Sequence, residues 1–222
     1  MTKIAVMQPY FIPYAGYFRL MQSADIFVVY DCVQFPRRGY VHRNKLNTLS
    51  LNTEWLSLPL IKQEQSIRID QLLFRDSAGK TFFHNLKKKH VFEKIKNNSI
   101  LMDLLNDFSS SPCIYIVNLL KYFSYLLNIK TQFIYSSSMS ISNSFNGQDR
   151  IIEIANKLNA THYINSPNGR SLYSQNEFSK NNIKLQFLNE YQGNFISILD
   201  NYFSLTKEER EHFSQDLKTQ SI

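Results

Sequence analysis

Short runs of four or five apolar residues recur along this chain, separated by segments whose apolar positions fall three or four apart. Ile4-Ala5-Val6-Met7 and Ile26-Phe27-Val28-Val29-Tyr30 have the length and continuity of strands buried on both faces. Between them, Phe18, Leu20, Met21 and Ala24 give a helix starting near Tyr14 one apolar side. The last third repeats this alternation, with strands at 131–135, 161–165 and 184–188 and helices at 147–159 and 175–181. That order predicts an α/β fold with a mostly parallel sheet flanked by helices and joined by right-handed crossovers.

The middle of the chain reads differently. Residues 78–98 predict one basic helix, with Phe82, Phe83, Leu86, His90 and Val91 on one side and Lys87-Lys88-Lys89 on a solvated face. Further helices are expected over 99–108 and 113–127, the second opened by Ser111 and Pro112. Upstream, 46–52 predicts a turn or short helix, and 55–60 a strand ended by Pro59. Residues 67–73 predict a short strand or sheet edge. The charged stretch 206–222 is expected to fray, leaving residues 1–205 as one α/β domain with a helical segment at about 78–128.

Polar side chains crowd the predicted strand exits. Gln8, Tyr10, Tyr14, Gly16 and Tyr17 follow the first strand; Asp31, Gln34, Arg37, His42, Arg43 and Asn44 follow the second; Asn165, Gly169 and Arg170 follow the strand at 161–165. In open parallel sheets ligands bind beyond the carboxyl ends of the strands, so these clusters are expected to share one site. There, Asp31 or His42 is the candidate general base, arginines can fork onto phosphate or carboxylate, and tyrosines can stack on a base or sugar. The phosphate loops G-x-x-x-x-G-K-[ST] and G-x-G-x-x-G are absent from the sequence. Tyr14-Ala15-Gly16-Tyr17 has the layout of the nucleotidylyltransferase signature, with tyrosines where that signature carries histidines. A glycine there lets backbone approach a phosphate at a helix N-terminus, and residues 137–140 could add further contacts. The fold is thus Rossmann-like, with a nucleotidylyltransferase-like variant also allowed.

Charge narrows the partner. The net charge of +7 is uneven: residues 1–100 carry 15 Lys/Arg against 7 Asp/Glu, and residues 101–222 carry 10 against 11. The basic half points to an anionic partner, whether nucleic acid, a membrane surface or a phosphorylated small molecule. No apolar run reaches eighteen residues, and Met1-Thr2-Lys3 leads straight into a strand. With only Cys32 and Cys113, no disulfide framework is expected, and a cytoplasmic location follows. The scattered histidines give no metal-binding spacing.

The stretch MQPYFIPYAGYFRLMQSADIFVVYD-VQF, followed by Arg43-Asn44, Trp55 and Pro59, resembles the WbqC-like family of bacterial proteins. Gly147, Tyr163-Ile164-Asn165, Gly169, Leu172-Tyr173, Phe178, Tyr191 and Ser197-Ile198-Leu199-Asp200 agree with it, so the resemblance spans about residues 3–200. The family has Asp-Asp-Val-Gln where this chain has Asp31-Cys32, which removes a paired carboxylate. The resemblance implies a role beside O-antigen and other surface-polysaccharide genes, in transfer of an amino acid or acyl group to a nucleotide-linked amino sugar. ATP would activate the acid if the nucleotidylyltransferase analogy holds. Otherwise a thioester or charged transfer RNA must bring it already activated. A non-catalytic protein that binds a nucleotide sugar or assembles a biosynthetic complex is the alternative.

Overall fold

A computed structural model describes residues 1–219. β1 (Lys3–Met7) leads through α1 (Ala15–Gln22) to β2 (Ile26–Val29). A hairpin of β3 (Arg43–Asn47) and β4 (Thr53–Ser57) follows, then α2 (Ala78–Leu86), α3 (Phe92–Ile95), α4 (Ser99–Asn106) and α5 (Pro112–Leu126). The alternation resumes with β5 (Gln132–Tyr135), α6 (Gly147–Lys157), β6 (His162–Asn165), α7 (Gln175–Lys180) and β7 (Lys184–Phe187). Two more helices, α8 (Ile198–Ser204) and α9 (Lys207–Thr219), come after the last strand.

The five strands outside the hairpin form one parallel sheet in the order β5-β2-β1-β6-β7. The apolar runs are continuous because both faces of this sheet are covered. Ile4, Val6, Val28, Tyr163 and Leu185 pack with Ile151, Ile154, Ala155 and Phe178 of α6 and α7. The alternate residues Ala5, Phe27, Val29 and Ile164 join Phe18, Met21, Ile116 and Phe123 of α1 and α5. This is the α/β, Rossmann-like arrangement the apolar pattern predicts. The chain builds outward from β1 to β5, then returns to the other side of β1 for β6 and β7. The loops leaving β1 and β6 therefore diverge, and a crevice opens between them.

Capping follows the local sequence. Ser111 accepts from the Ile114 amide at 3.4 Å ahead of Pro112, and Asn98 accepts from the Leu101 amide at 3.0 Å.

Several local expectations change. The stretch 46–52 is neither turn nor helix at its start: Leu46 lies inside β3, and the turn is confined to 48–52, where the Thr48 amide donates to the Asn52 carbonyl. β4 ends at Ser57, short of the expected 60. Residues 69–71 form a 3-10 turn rather than a strand, with Arg68 ion-paired to Asp70. The basic helix expected over 78–98 is two helices, broken so that Lys89 turns inward. Its ammonium meets the Glu54 carboxylate at 2.9 Å, and the His90 amide donates to the Asn47 carbonyl. Lys87 and Lys88 stay exposed as expected, whereas Lys89 is buried. The expected fraying tail is helical through Thr219 and packs on α1 with Leu217 buried. The rest of that tail, 220–222, lies outside the described residues.

Phe27 sits at the centre of the larger core, with ring centroids 5.8 Å from Tyr17 and 5.6 Å from Phe133. Phe27→Ala is expected to lower the unfolding free energy by about 3–5 kcal/mol in urea titrations. A loss under about 1 kcal/mol would mean this face of the sheet is not the close-packed one.

Candidate functional site

The turn between β1 and α1 carries a backbone irregularity beside the crevice. Ile12, a β-branched residue, has φ of 37°. Such a residue is a genuine outlier on the left-handed side of conformational space and persists only where its surroundings hold it. Three groups do so. The Asn44 side-chain amide donates to the Phe11 carbonyl at 3.1 Å and to the Ile12 carbonyl at 2.8 Å. The Ser197 hydroxyl donates to the Ile12 carbonyl at 2.7 Å while accepting from the Leu199 amide, which caps α8. The Ile198 amide donates to the Pro13 carbonyl at 2.8 Å. Asn44 and Ser197 are both buried, so their bonds are shielded from water.

With the turn fixed, α1 begins under an aromatic cluster. The Tyr14 ring lies 5.5 Å from Tyr191 and 4.9 Å from Phe195. A Cβ on Gly16 would come within 2.3 Å of the Tyr14 ring and 2.8 Å of the Tyr191 ring, so only glycine fits there. On the other side Tyr17 donates to the Gln8 carbonyl at 2.7 Å, and Tyr10 lies 5.3 Å from Tyr17 and 5.9 Å from Tyr40. Burial raises the phenol pKa of Tyr10, Tyr14, Tyr17 and Tyr191, which keeps these hydroxyls neutral donors at pH 7.

These residues enclose a cavity of about 590 Å³ at the divergence of β1 and β6. Tyr10, Tyr14, Gly16, Tyr17 and Tyr40 form one part of its wall, Ser166, Pro167 and Asn168 another, and Leu188, Asn189, Glu190, Tyr191 and Phe195 a third. Arg19 and Glu190 are the charged members of the lining among the described residues. The Arg19 guanidinium is buried and lies 5.7 Å from the Tyr191 ring centre. Among the described residues there is no group of three His, Cys, Asp or Glu able to hold a metal ion.

The predicted site residues divide into cavity wall and scaffold. Tyr10, Tyr14, Gly16, Tyr17 and Asn44 line the cavity. Asn44 does so with its amide already committed: both N–H directions go to the turn, and its oxygen accepts from the Lys45 amide at 2.8 Å. Gln8 takes part through its carbonyl. Asn165 accepts from the Ser166 amide at 2.7 Å and fills the space where a Gly169 Cβ would be, which shapes the turn bearing residues 166–168. Arg170 is exposed over the Phe187 ring at 5.0 Å. Gln34 and Arg37 bond the carbonyls of Gln65 and Gln63, away from the lining. Arg43 donates to the Arg38 and Gly39 carbonyls and lies 4.3 Å from the Trp55 ring centre.

Neither candidate base lines the cavity. Asp31 is buried at the β2 exit and accepts from the Ser136 hydroxyl at 2.8 Å, the Ser137 amide at 2.9 Å and the Ser137 hydroxyl at 2.6 Å. The carboxylate thus ties the exit of β2 to that of β5. It also occupies the hydroxyl and amide of Ser137 that phosphate contacts would need, and Ser138 donates to the Tyr135 carbonyl. His42 packs edge-on against Phe35 at 5.0 Å, and burial, with Arg43 beside it, lowers its pKa to about 4.

Sequence reasoning missed Arg19, Tyr40, Glu190 and Phe195 as cavity residues. Arg19 did leave a signal, an arginine inside the apolar run Tyr17-Phe18-Arg19-Leu20-Met21.

The topology and crevice define a doubly wound α/β protein with a cavity at its topological switch point. The chain belongs to the WbqC-like protein family, whose sequence profile matches residues 8–212. It is 24% identical over 199 residues to uncharacterized protein Rv1507c of Mycobacterium tuberculosis (strain ATCC 25618 / H37Rv), covering 87% of this chain and 84% of that protein. No solved structure matches it.

Asn44→Ala is expected to cost about 1–3 kcal/mol, since buried carbonyls lose their donor, and to weaken any ligand of the cavity. Urea unfolding with a binding titration checks both; wild-type stability would show that Asn44 does not hold the turn. His42 adds a pH dependence. Its folded pKa near 4 lies below the unfolded value near 6.5, so the unfolded chain takes up the proton first. This contribution to stability is complete above about pH 6.5 and is lost as pH falls toward 4. His42→Gln should flatten the stability profile across that window, and an unchanged slope would assign it to other groups.

Proposed function

We propose that the cavity binds a nucleotide-linked amino sugar and that the protein transfers an acyl or aminoacyl group to its amine, in assembly of a bacterial surface polysaccharide. The observation that carries this reading is the tyrosine-lined cavity of about 590 Å³ at the switch point, within the size range of small-molecule sites. Faces of Tyr10, Tyr14 and Tyr40 suit a base or sugar ring, and the neutral hydroxyls of Tyr10 and Tyr14 can donate to phosphate or sugar oxygens. The family's association with O-antigen genes supports the polysaccharide setting.

In amide formation the neutral amine attacks the donor carbonyl, loses a proton to a base, and the carbonyl oxygen gathers negative charge. Glu190, the one carboxylate among the described lining residues, is the proton acceptor in this reading, and the neutral tyrosine hydroxyls are the donors to the oxyanion. Asp31 serves as the tie between β2 and β5. The Tyr14 and Tyr191 rings pack against the Gly16 backbone that an ATP phosphate would approach in a nucleotidylyltransferase, which favours a donor that arrives activated over use of ATP.

The non-catalytic reading retains one specific support: Asp31 and His42, the bases expected from the sequence, both stand outside the cavity. Incubation with nucleotide-linked amino sugars and acyl donors, followed by mass spectrometry of the sugar, separates the two. Amide product is expected, with Glu190→Gln lowering turnover roughly a hundredfold while leaving sugar binding intact. Tight binding of a nucleotide sugar without product from any activated donor would establish the binding protein instead.

A further inference from the structure

The cavity does not end at Tyr40. That ring is 46% exposed and leads outward to Trp55, 5.7 Å away and 38% exposed. Trp55 lies on the outer face of the β3–β4 hairpin, directly across from Lys45 in the antiparallel register. The Lys45 ammonium is 5.5 Å and the Arg43 guanidinium carbon 4.3 Å from the Trp55 ring centre. Arg43 does not wave in solvent: its bonds to the Arg38 and Gly39 carbonyls hold it in place. Residues 32–53 contain Arg37, Arg38, Arg43 and Lys45 and no acidic residue. An aromatic strip flanked by cations thus runs from inside the cavity to the outer face of the hairpin.

Resting on the acyl-transfer reading above, we propose that this strip docks the nucleotide end of the acyl donor, a coenzyme A thioester, with its adenine on Tyr40 and Trp55 and its phosphates on Arg38, Arg43 and Lys45. Charge complementarity and continuity with the cavity through Tyr40 carry the assignment. Coenzyme A concentrates its phosphates near one adenine and extends a long flexible arm. A compact cationic patch beside a cavity mouth suits that shape, whereas a transfer RNA body needs a much wider basic footprint. The reaction balances without another reagent. The sugar nitrogen bonds to the thioester carbonyl carbon, the carbon–sulfur bond breaks, and the proton lost by nitrogen ends on the departing sulfur. The products are the amide and free coenzyme A.

Trp55 is the chain's single tryptophan, so its emission reports on the strip. Coenzyme A and adenosine 3′,5′-bisphosphate are each expected to change that emission saturably. Lys45→Ala and Arg38→Ala should weaken both about tenfold or more, whereas Lys180→Ala, exposed on α7, should not. Calorimetry with a nucleotide sugar on the same proteins tests the cavity separately. If the nucleotide sugar binds and coenzyme A does not, the strip assignment falls and the acyl-transfer reading survives with another donor. If coenzyme A binds through Lys45 and no nucleotide sugar does, the strip stands and the acceptor reading falls. A CCA-ended oligonucleotide that outcompetes coenzyme A at Trp55 would overturn the assignment in favour of a charged RNA donor.

Discussion

The clamp on Ile12 is the constraint on which the rest of the site depends. A branched residue at φ 37° is strained by about 1–3 kcal/mol, and it stays so because Asn44 and Ser197 hold the carbonyls on either side of it. The clamp draws on parts of the chain far apart in sequence: a strand of the hairpin insertion and the first turn of α8. It sets the direction in which Pro13 and Tyr14 leave the sheet, and so where α1 starts and which rings Tyr14 can meet. Were the turn to relax, the Tyr14–Tyr191–Phe195 cluster would lose its fixed partner and the cavity its shape.

A second buried polar cross-link acts at the neighbouring strand pair. Asp31 binds the two serines after β5 much as Asn44 binds the turn after β1, accepting three hydrogen bonds on its two carboxylate oxygens. Asp31 follows a strand end and Asn44 lies at the start of β3, and the side chains of both are hydrogen-bonded to neighbouring loops. The charged residues of the described cavity lining, Arg19 and Glu190, come from a helix interior and from the loop after β7.

Much of the architecture was legible in the sequence because burial on both faces leaves an uninterrupted apolar run, as at Ile4-Ala5-Val6-Met7 and Ile26-Phe27-Val28-Val29. β3 was not, because its buried face carries Asn44 beside Leu46, and a polar residue buried for its hydrogen bonds looks like a loop residue. Lys89 misled for the matching reason. It stands in a run of three lysines but turns inward to Glu54, a partner 35 positions away. The site was legible only as far as strand exits go. That β6, and not β5, lies beside β1 is a property of the sheet that no local pattern encodes, and it brings residues 166–168 and the loop of Tyr191 to the same cavity.

Ser197 imposes an order on how the protein is made. Every strand of the sheet is complete by Phe187, so a growing chain of that length already holds all the main-chain partners its β-structure requires. Tyr191, Phe195 and the hydroxyl that secures Ile12 leave the ribosome only afterwards. The turn after β1 is therefore locked only once residues 191–197 are in place. During translation the nascent chain passes through a stage with a sheet framework and an unfinished cavity wall, completed only when the segment from 191 to 197 folds back onto the turn after β1.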